Sequence, residues 1–316
     1  MEKATLERII KKAMEIEKNP AAMLCENMRG KMLGCKAITS SCAHNETCKI
    51  RIETALKEIS EHSATANYWL QRFLLPSTEK EHITQKRLIR ELEKIGFNNI
   101  PICAFCYAHR ALTVGSGYNM DIKYAAVGKV LSENLLTENQ LPIVSGFYGV
   151  ALSEKNPDQS FSDNKPHERI ESFGDTANVT QARNYIRLCN SNPRVMFSAW
   201  TKNPEHWYKA ILAENGKPEN LKLILSSYRM NKPDIDIAVK YNTLYPGMID
   251  TVFTVWTVSG ALHNNIILNC CGSDRDKIIP RQCSTCMNCY FKNGNPETVQ
   301  HFAKYPEVQA VNEILR

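Results

Sequence analysis

Cys283, Cys286 and Cys289 stand at C-x2-C-x2-C spacing in the segment RQCSTCMNCYF. One tight loop can turn three thiolates at that spacing toward a single metal cluster, as in the first three ligands of a ferredoxin-like run. The cysteine-proline pair that usually completes such a run is absent. Cys270 or Cys271, just after the apolar run NIILN, would supply a fourth ligand from a distance. The alternative is a zinc knuckle on the same four sulfurs. Cys103 and Cys106, in ICAFCYAHR, form a second C-x2-C pair. Two thiolates complete neither a cubane nor a tetrahedral zinc, so this pair needs partners from Cys25, Cys35, Cys42 and Cys48. A thioredoxin-like dithiol should instead follow a strand and open a helix. Of the twelve cysteines, Cys189 alone stands apart from these groups, and grouping of this kind favours metal ligation over packing. The expected metal ligands are Cys35, Cys42, Cys48, Cys103, Cys106, Cys270, Cys271, Cys283, Cys286 and Cys289. The expected cofactor is one or two [4Fe–4S] clusters, with zinc as the alternative metal.

A second set of polar residues falls where apolar runs end. In HERIESFGD, Arg169, Glu171 and Phe173 alternate with Ile170, and Asp175 follows Gly174. A strand there would place Arg169 and Glu171 on one face. FSAWTKNP ends in Trp200, Thr201 and Lys202, with Pro204 suited to a first helical position. LILSSYRMN ends in Ser226, Ser227, Tyr228 and Arg229. Polar groups recurring after successive strands are what a pocket at one end of a sheet requires. Glu171, Asp175 and Lys202 are the catalytic candidates. Tyr107, Arg169, Glu171, Asp175, Trp200, Thr201 and Ser227 are the candidate cofactor contacts. Neither G-x-G-x-x-G nor G-x-S-x-G occurs, which disfavours dinucleotide-binding folds and serine hydrolases.

The elements that must position these groups follow from periodicity. Helices are expected over 3–17, 50–61, 64–75, 78–96, 122–136, 179–189 and 204–214, with Thr78 and Glu81 as a capping box. Strands are expected at 168–173, 194–200, 221–227, 235–240, 251–258 and 265–269, and a strand or buried loop at 141–150. A C-terminal helix pair is expected around 296–303 and 306–315. Apolar strands alternating with helices give an α/β class with a parallel sheet, open or a partial or complete (β/α) barrel. The division is an N-terminal helical, cysteine-rich region over 1–96 and an α/β core with a C-terminal cluster loop over 97–316.

With 43% hydrophobic and 23% charged residues, the 316-residue chain has the composition of a folded globular protein. It contains no run of 18 apolar residues, and its N-terminus, MEKATLERIIKKAMEIEKN, has no apolar core of an export signal. A cytoplasmic location without a membrane partner is therefore expected, where thiols stay reduced. The formal charge of +6 counts cysteines as neutral. Thiolate-bound clusters would lower it, so the basic balance argues only weakly for a nucleic-acid partner.

CYAHR, ESFGD, AWTKNP and CSTCMNCYF, in that order over residues 103–290, resemble the phage gene-product-88-like family. That family has a CYA segment after clustered cysteines, a strand ending in GD, a strand ending in an aromatic-Thr-Lys element, and a C-terminal C-x2-C-x2-C followed by an aromatic. The long N-terminal cysteine-bearing region departs from the pattern. The layout is also distantly similar to radical S-adenosylmethionine enzymes, which hold a [4Fe–4S] cluster after the first barrel strand. By that likeness Cys103 and Cys106 would lie near the reactive cluster, Glu171 and Asp175 near the methionine amine or ribose, and Trp200–Lys202 near cofactor or substrate. The signature C-x3-C-x2-C is missing, because position 99 is asparagine. The function expected is an iron–sulfur redox enzyme, of radical S-adenosylmethionine type, with a small-molecule substrate and an electron-donor protein. The alternatives are a non-catalytic electron-transfer or structural iron–sulfur protein and a zinc-stapled nucleic-acid-binding protein.

Overall fold

The computed structural model describes residues 28–29, 36–38, 45–106, 128–141, 143–144, 166–171, 174–267, 270, 288–289 and 299–314, with backbone alone at 28–29, 36–38 and Ile314. Strands β1 (Met28–Arg29) and β2 (Lys36–Ile38) precede three helices, α1 (Glu46–His62), α2 (Ala64–Leu74) and α3 (Gln85–Lys94). After a 3-10 turn at Ile102–Phe105 come β3 (His167–Ile170), α4 (Val179–Ser191), β4 (Met196–Thr201), α5 (Pro204–Ala213), β5 (Leu221–Ser226), α6 (Ile235–Leu244), β6 (Thr251–Trp256) and α7 (Val258–His263). The hairpin of β7 (Gln300–Phe302) and β8 (Tyr305–Ile314) follows.

All eight strands form one sheet in the order β1-β2-β3-β4-β5-β6-β8-β7. Pairing is parallel from β2 through β8 and antiparallel at both edges. The protein is thus α/β with a mixed, mainly parallel sheet; among the described residues that sheet is open, bounded by β1 and β7. Among the parallel strands β2 to β6 and β8 the order never reverses, and crossovers between parallel strands are almost always right-handed. Successive crossovers running one way put their helices on the same face. Tyr185 and Leu188 of α4, Trp207 and Ile211 of α5, and Ala238 and Tyr241 of α6 accordingly share one apolar core with Ile170, Phe197, Leu223 and Val252 of the strands. The opposite face carries buried polar side chains instead, among them Arg169, Ser198, Lys222 and Thr251.

The three N-terminal helices form a second apolar cluster around Ile59, Leu70, Leu88 and Leu92, which also takes in Ile100, Phe105 and Met230. Each helix has its own cap: Asn45, Ser63 and Thr84 accept from backbone N–H groups of the first turn. Polar ties then fasten this layer over the carboxyl ends of the strands. Arg229, just after β5, donates in bidentate fashion to Glu58 of α1 at 2.5 and 2.9 Å. Thr257, just after β6, donates to Glu93 of α3 at 2.5 Å.

Four expectations are corrected here. Residues 235–240, read as a strand, open α6. Parallel neighbours β5 and β6 need a long crossover between them, and the apolar side of IDIAVK continues at helical spacing through Tyr241 and Tyr245 onto the core. Residues 300–302 and 305–314, read as helical, are strands. The Glu, Gln and Ala content of the second segment favours helix, and pairing of β8 with the open side of β6 overrides that propensity. The third helix begins at Gln85 with Thr84 as cap, not at Thr78. Residues 265–267 are not strand, 128–133 are helical, and the expected helix at 3–17 lies outside the described residues. No helix among the described residues is long and apolar enough to cross a membrane.

Candidate functional site

Three cysteines converge on the carboxyl ends of β4 and β5. The turn bearing Cys103 and Cys106 is held by a short ladder to the loop after β5. Ile102 N–H donates to Tyr228 O at 3.0 Å, Met230 N–H donates to Ile100 O at 2.9 Å, and Pro101 bridges Arg229. Cys106 N–H closes the turn on Cys103 O at 3.2 Å. Cys48 comes from the first turn of α1, where its N–H donates to the cap Asn45 at 3.3 Å. Asn45 in turn donates its amide to the backbone carbonyl of Asp175 at 2.8 Å. All three cysteines are half-buried. Among the described residues, no group of three or more His, Cys, Asp or Glu side chains is placed to hold a single metal ion. Cys35, Cys42, Cys271, Cys283, Cys286 and Tyr107 lie outside the described residues.

Asp175 is the hub beneath these thiols. Its buried carboxylate accepts from Thr201 Oγ1 at 2.7 Å, Lys202 N–H at 2.7 Å, Thr176 N–H at 2.8 Å and Arg51 Nη1 at 3.2 Å. Arg51 also donates to Lys202 O at 2.6 Å and to Asn203 Oδ1, and its guanidinium lies 5.4 Å from the Tyr228 ring centroid. Tyr228 donates its hydroxyl to the same Lys202 carbonyl. The Lys202 ammonium reaches across to Ser226 Oγ at 2.6 Å. Asp175 therefore binds α1 to the end of β4 and fixes Lys202 through its backbone.

The other strand-end candidates separate into two sites. Glu171 follows β3 with φ of +56°, in the left-handed region. This breaks the alternation expected from the sequence, so Glu171 does not share the face of Arg169. Its carboxylate turns to α4, accepting from Gln181 Nε2 at 2.9 Å and from the Tyr185 hydroxyl. Arg169 stays on the sheet face away from α4, with its guanidinium 4.4 Å from the Trp200 ring centroid. Trp200 packs on Phe253 at 4.5 Å. Its indole nitrogen is buried and finds no hydrogen-bond partner among the described residues, and the same holds for Ser198 Oγ beside it. Buried donors without partners are unusual and mark places where a ligand can satisfy them. Ser227 is internal, bonded to Thr254 at 3.0 Å and to the N–H of Asp234 at 3.2 Å.

Burial pushes the Cys48 thiol far above the ordinary cysteine range; the Asp175 carboxylate adds to this, the Arg51 guanidinium opposes it, and Cys106 and Cys103 contribute the remainder. Burial also raises Cys103, opposed mainly by the Lys202 ammonium. These mutual effects place Cys48, Cys103, Cys106, Asp175, Arg51 and Lys202 in one electrostatic neighbourhood. In the folded, metal-free protein, Cys48 should react with iodoacetamide at pH 8 at least about tenfold more slowly than in the urea-unfolded chain, one unit of thiol pKa being tenfold in thiolate, and Cys103 should be slowed in the same direction. Because the folded thiols hold their protons more tightly, their contribution to stability is complete below the unfolded pKa of about 8.5 and declines as pH rises above it. Labelling equally fast in folded and unfolded chains would contradict this.

Two of the C-terminal cysteines, Cys270 and Cys289, reach a different place. Both pack on the apolar patch of Ile224, Phe253 and Val311, with Trp200 alongside. Arg51, Asn45, Glu58 and Lys222 were not among the residues singled out by spacing. Lys222 carried a readable signal, since a charge inside an apolar strand buried on both faces is costly. The helix charges Arg51 and Glu58 carried none.

No curated protein and no solved structure matches the chain. The sequence pattern of Gene product 88 matches residues 7–292, which is most of its length and spans every cysteine group described. The chain belongs to the Gene product 88 family.

Proposed function

We propose that this protein is an iron–sulfur redox enzyme of radical S-adenosylmethionine type, with Cys48, Cys103 and Cys106 as the protein ligands of its reactive cluster. The observation that carries this reading is the meeting of those three thiols, from two distant segments, over the carboxyl ends of a parallel sheet. Ligands of α/β folds gather at that end. The donor set fits the group: thiolates are the cluster's ligands, and a cubane spreads them more widely than a single ion does. Cluster iron also supplies the positive charge that would favour thiolate over the protonated thiols of the metal-free site. With three ligands, one iron is left open to a small molecule.

A cluster so held supplies one-electron reduction to a cofactor bound against its open iron. The chain's residues do the positioning. The unreversed order of the parallel strands supports a partial (β/α) barrel, whose polar inner face would hold the ligand. Trp200 Nε1 and Ser198 Oγ, without partners among the described residues, offer donors there, and the Lys202 ammonium stands at the rim beside Cys103. Asp175 and Glu171, whose carboxylates accept from neighbouring groups of the fold, act as positioning residues for the strand ends. An electron-donor protein would recharge the cluster.

The engagement of the Asp175 and Glu171 carboxylates by neighbouring groups of the fold favours a second reading, an iron–sulfur protein used for electron transfer or structure alone. Low-temperature electron paramagnetic resonance of anaerobically purified, dithionite-reduced protein separates the two. The enzyme reading expects a [4Fe–4S]⁺ signal that shifts when S-adenosylmethionine is added. A cluster signal indifferent to it favours the second reading, and zinc-loaded protein without a signal overturns both.

A further inference from the structure

Lys222, the second residue of β5, is completely buried on the sheet face opposite the helices. Its Nζ donates to the backbone carbonyl of Asn288 at 2.6 Å and to Gln309 Oε1 at 2.5 Å. Asn288 immediately precedes Cys289, the last cysteine of the C-x2-C-x2-C run. Two residues further along the same face of β5, Ile224 joins Phe253 and Val311 in the patch on which Cys270 and Cys289 pack. Cys270 is anchored independently, its N–H donating to Asn312 O of β8 at 3.1 Å. Two chain segments thus bring thiols to one spot, and a buried ammonium holds the backbone next to one of them.

A lysine this deep is costly unless its surroundings interact with the charge. A thiolate-ligated iron–sulfur centre carries net negative charge and would do so at short range. From this arrangement we infer that Lys222 clamps and charge-stabilises a C-terminal metal centre whose ligands include Cys270 and Cys289, with Cys270 rather than Cys271 as the ligand outside the run. The inference rests on the iron–sulfur reading for the nature of the cluster, and on geometry alone for the ligands and clamp. The ammonium stabilises the more negative, reduced form of the cluster, so its removal lowers the reduction potential. Fixing Asn288 also slows escape of the metal by keeping Cys289 seated.

The test uses the full chain, purified anaerobically, as wild type, Lys222→Met, Lys222→Arg, Cys270→Ser and Cys271→Ser. Potentiometric titration followed by electron paramagnetic resonance should show one cluster in Lys222→Met reduced at least about tenfold less favourably, a fall of about 59 mV for one electron. Lys222→Arg should recover most of that shift, and the other cluster should be unmoved. Where Lys222→Met does not fold, Lys222→Arg and the cysteine pair decide. Cys270→Ser should lose one centre's metal and Cys271→Ser should keep it, with metal lost faster to a chelator from Lys222→Arg than from wild type. An unshifted potential in folded Lys222→Met, or metal loss in Cys271→Ser but not Cys270→Ser, overturns the inference. Zinc in the wild type would overturn the iron–sulfur reading alone, since the cysteine and chelator comparisons would still report the clamp. Metal-free wild type overturns both.

Discussion

Asp175→Ala should destabilise the protein by about 3–5 kcal/mol, the cost of breaking a buried ion pair from one side. The change strips an acceptor from Arg51, Thr201, the Lys202 N–H and the Thr176 N–H together. Arg51 and Asp175 are little exposed, at 18% and 9% of their side-chain surfaces, so solvent screens the pair weakly. The same groups bind α1 to β4, and the loss should therefore appear as a lower urea midpoint for the whole chain. Arg51→Ala should cost a comparable amount, and the double variant much less than the sum, because both act on one network. Additive effects, or a loss below about 1 kcal/mol in Asp175→Ala, would mean that the carboxylate holds a ligand and not the fold.

Serine at Cys48, Cys103 or Cys106 should have the largest effect on metal content. On the iron–sulfur reading, each single change should remove one whole cluster's iron and sulfide and leave the proposed C-terminal centre in place, since a cubane already held by only three thiolates has none to spare. Cys189→Ser is the control. That thiol is fully buried in the core between sheet and helices, and its replacement should keep full iron content. Elemental analysis of anaerobically purified variants decides the matter. Full iron in Cys48→Ser would transfer the third-ligand role to another cysteine and break the link between α1 and the site.

Four strands and the helices between the first pairs were readable because their apolar runs answer to a local period. Residues 194–200, 221–227 and 251–258 differ from β4, β5 and β6 only at their ends. Residues 235–240 misled because a short apolar run has no decisive period, and only the parallel partners on either side require a helix. The C-terminal hairpin misled for the opposite reason, its composition being good for helix while its place is set by β6. At the site, the Cys103–Cys106 pair was legible from spacing. The place of Cys48 was not, because Asn45 and Arg51 set it through bonds to residues more than a hundred positions away. Glu171 was singled out, yet its direction depends on a single left-handed backbone angle that no side-chain pattern announces.

The pairing of β8 beside β6 bears on how the chain emerges from the ribosome. Thr251–Trp256 is made well before Tyr305–Ile314, with the cysteine-bearing stretch in between. During that interval the outer side of β6 offers its unpaired N–H and C=O groups, flanked by Val252 and Phe253, to any neighbouring nascent chain. On the iron–sulfur reading, the same stretch must also acquire its metal before β8 is seated firmly. Iron shortage in the cell would then be felt first as aggregation of newly made chains, ahead of any loss of turnover in those already folded.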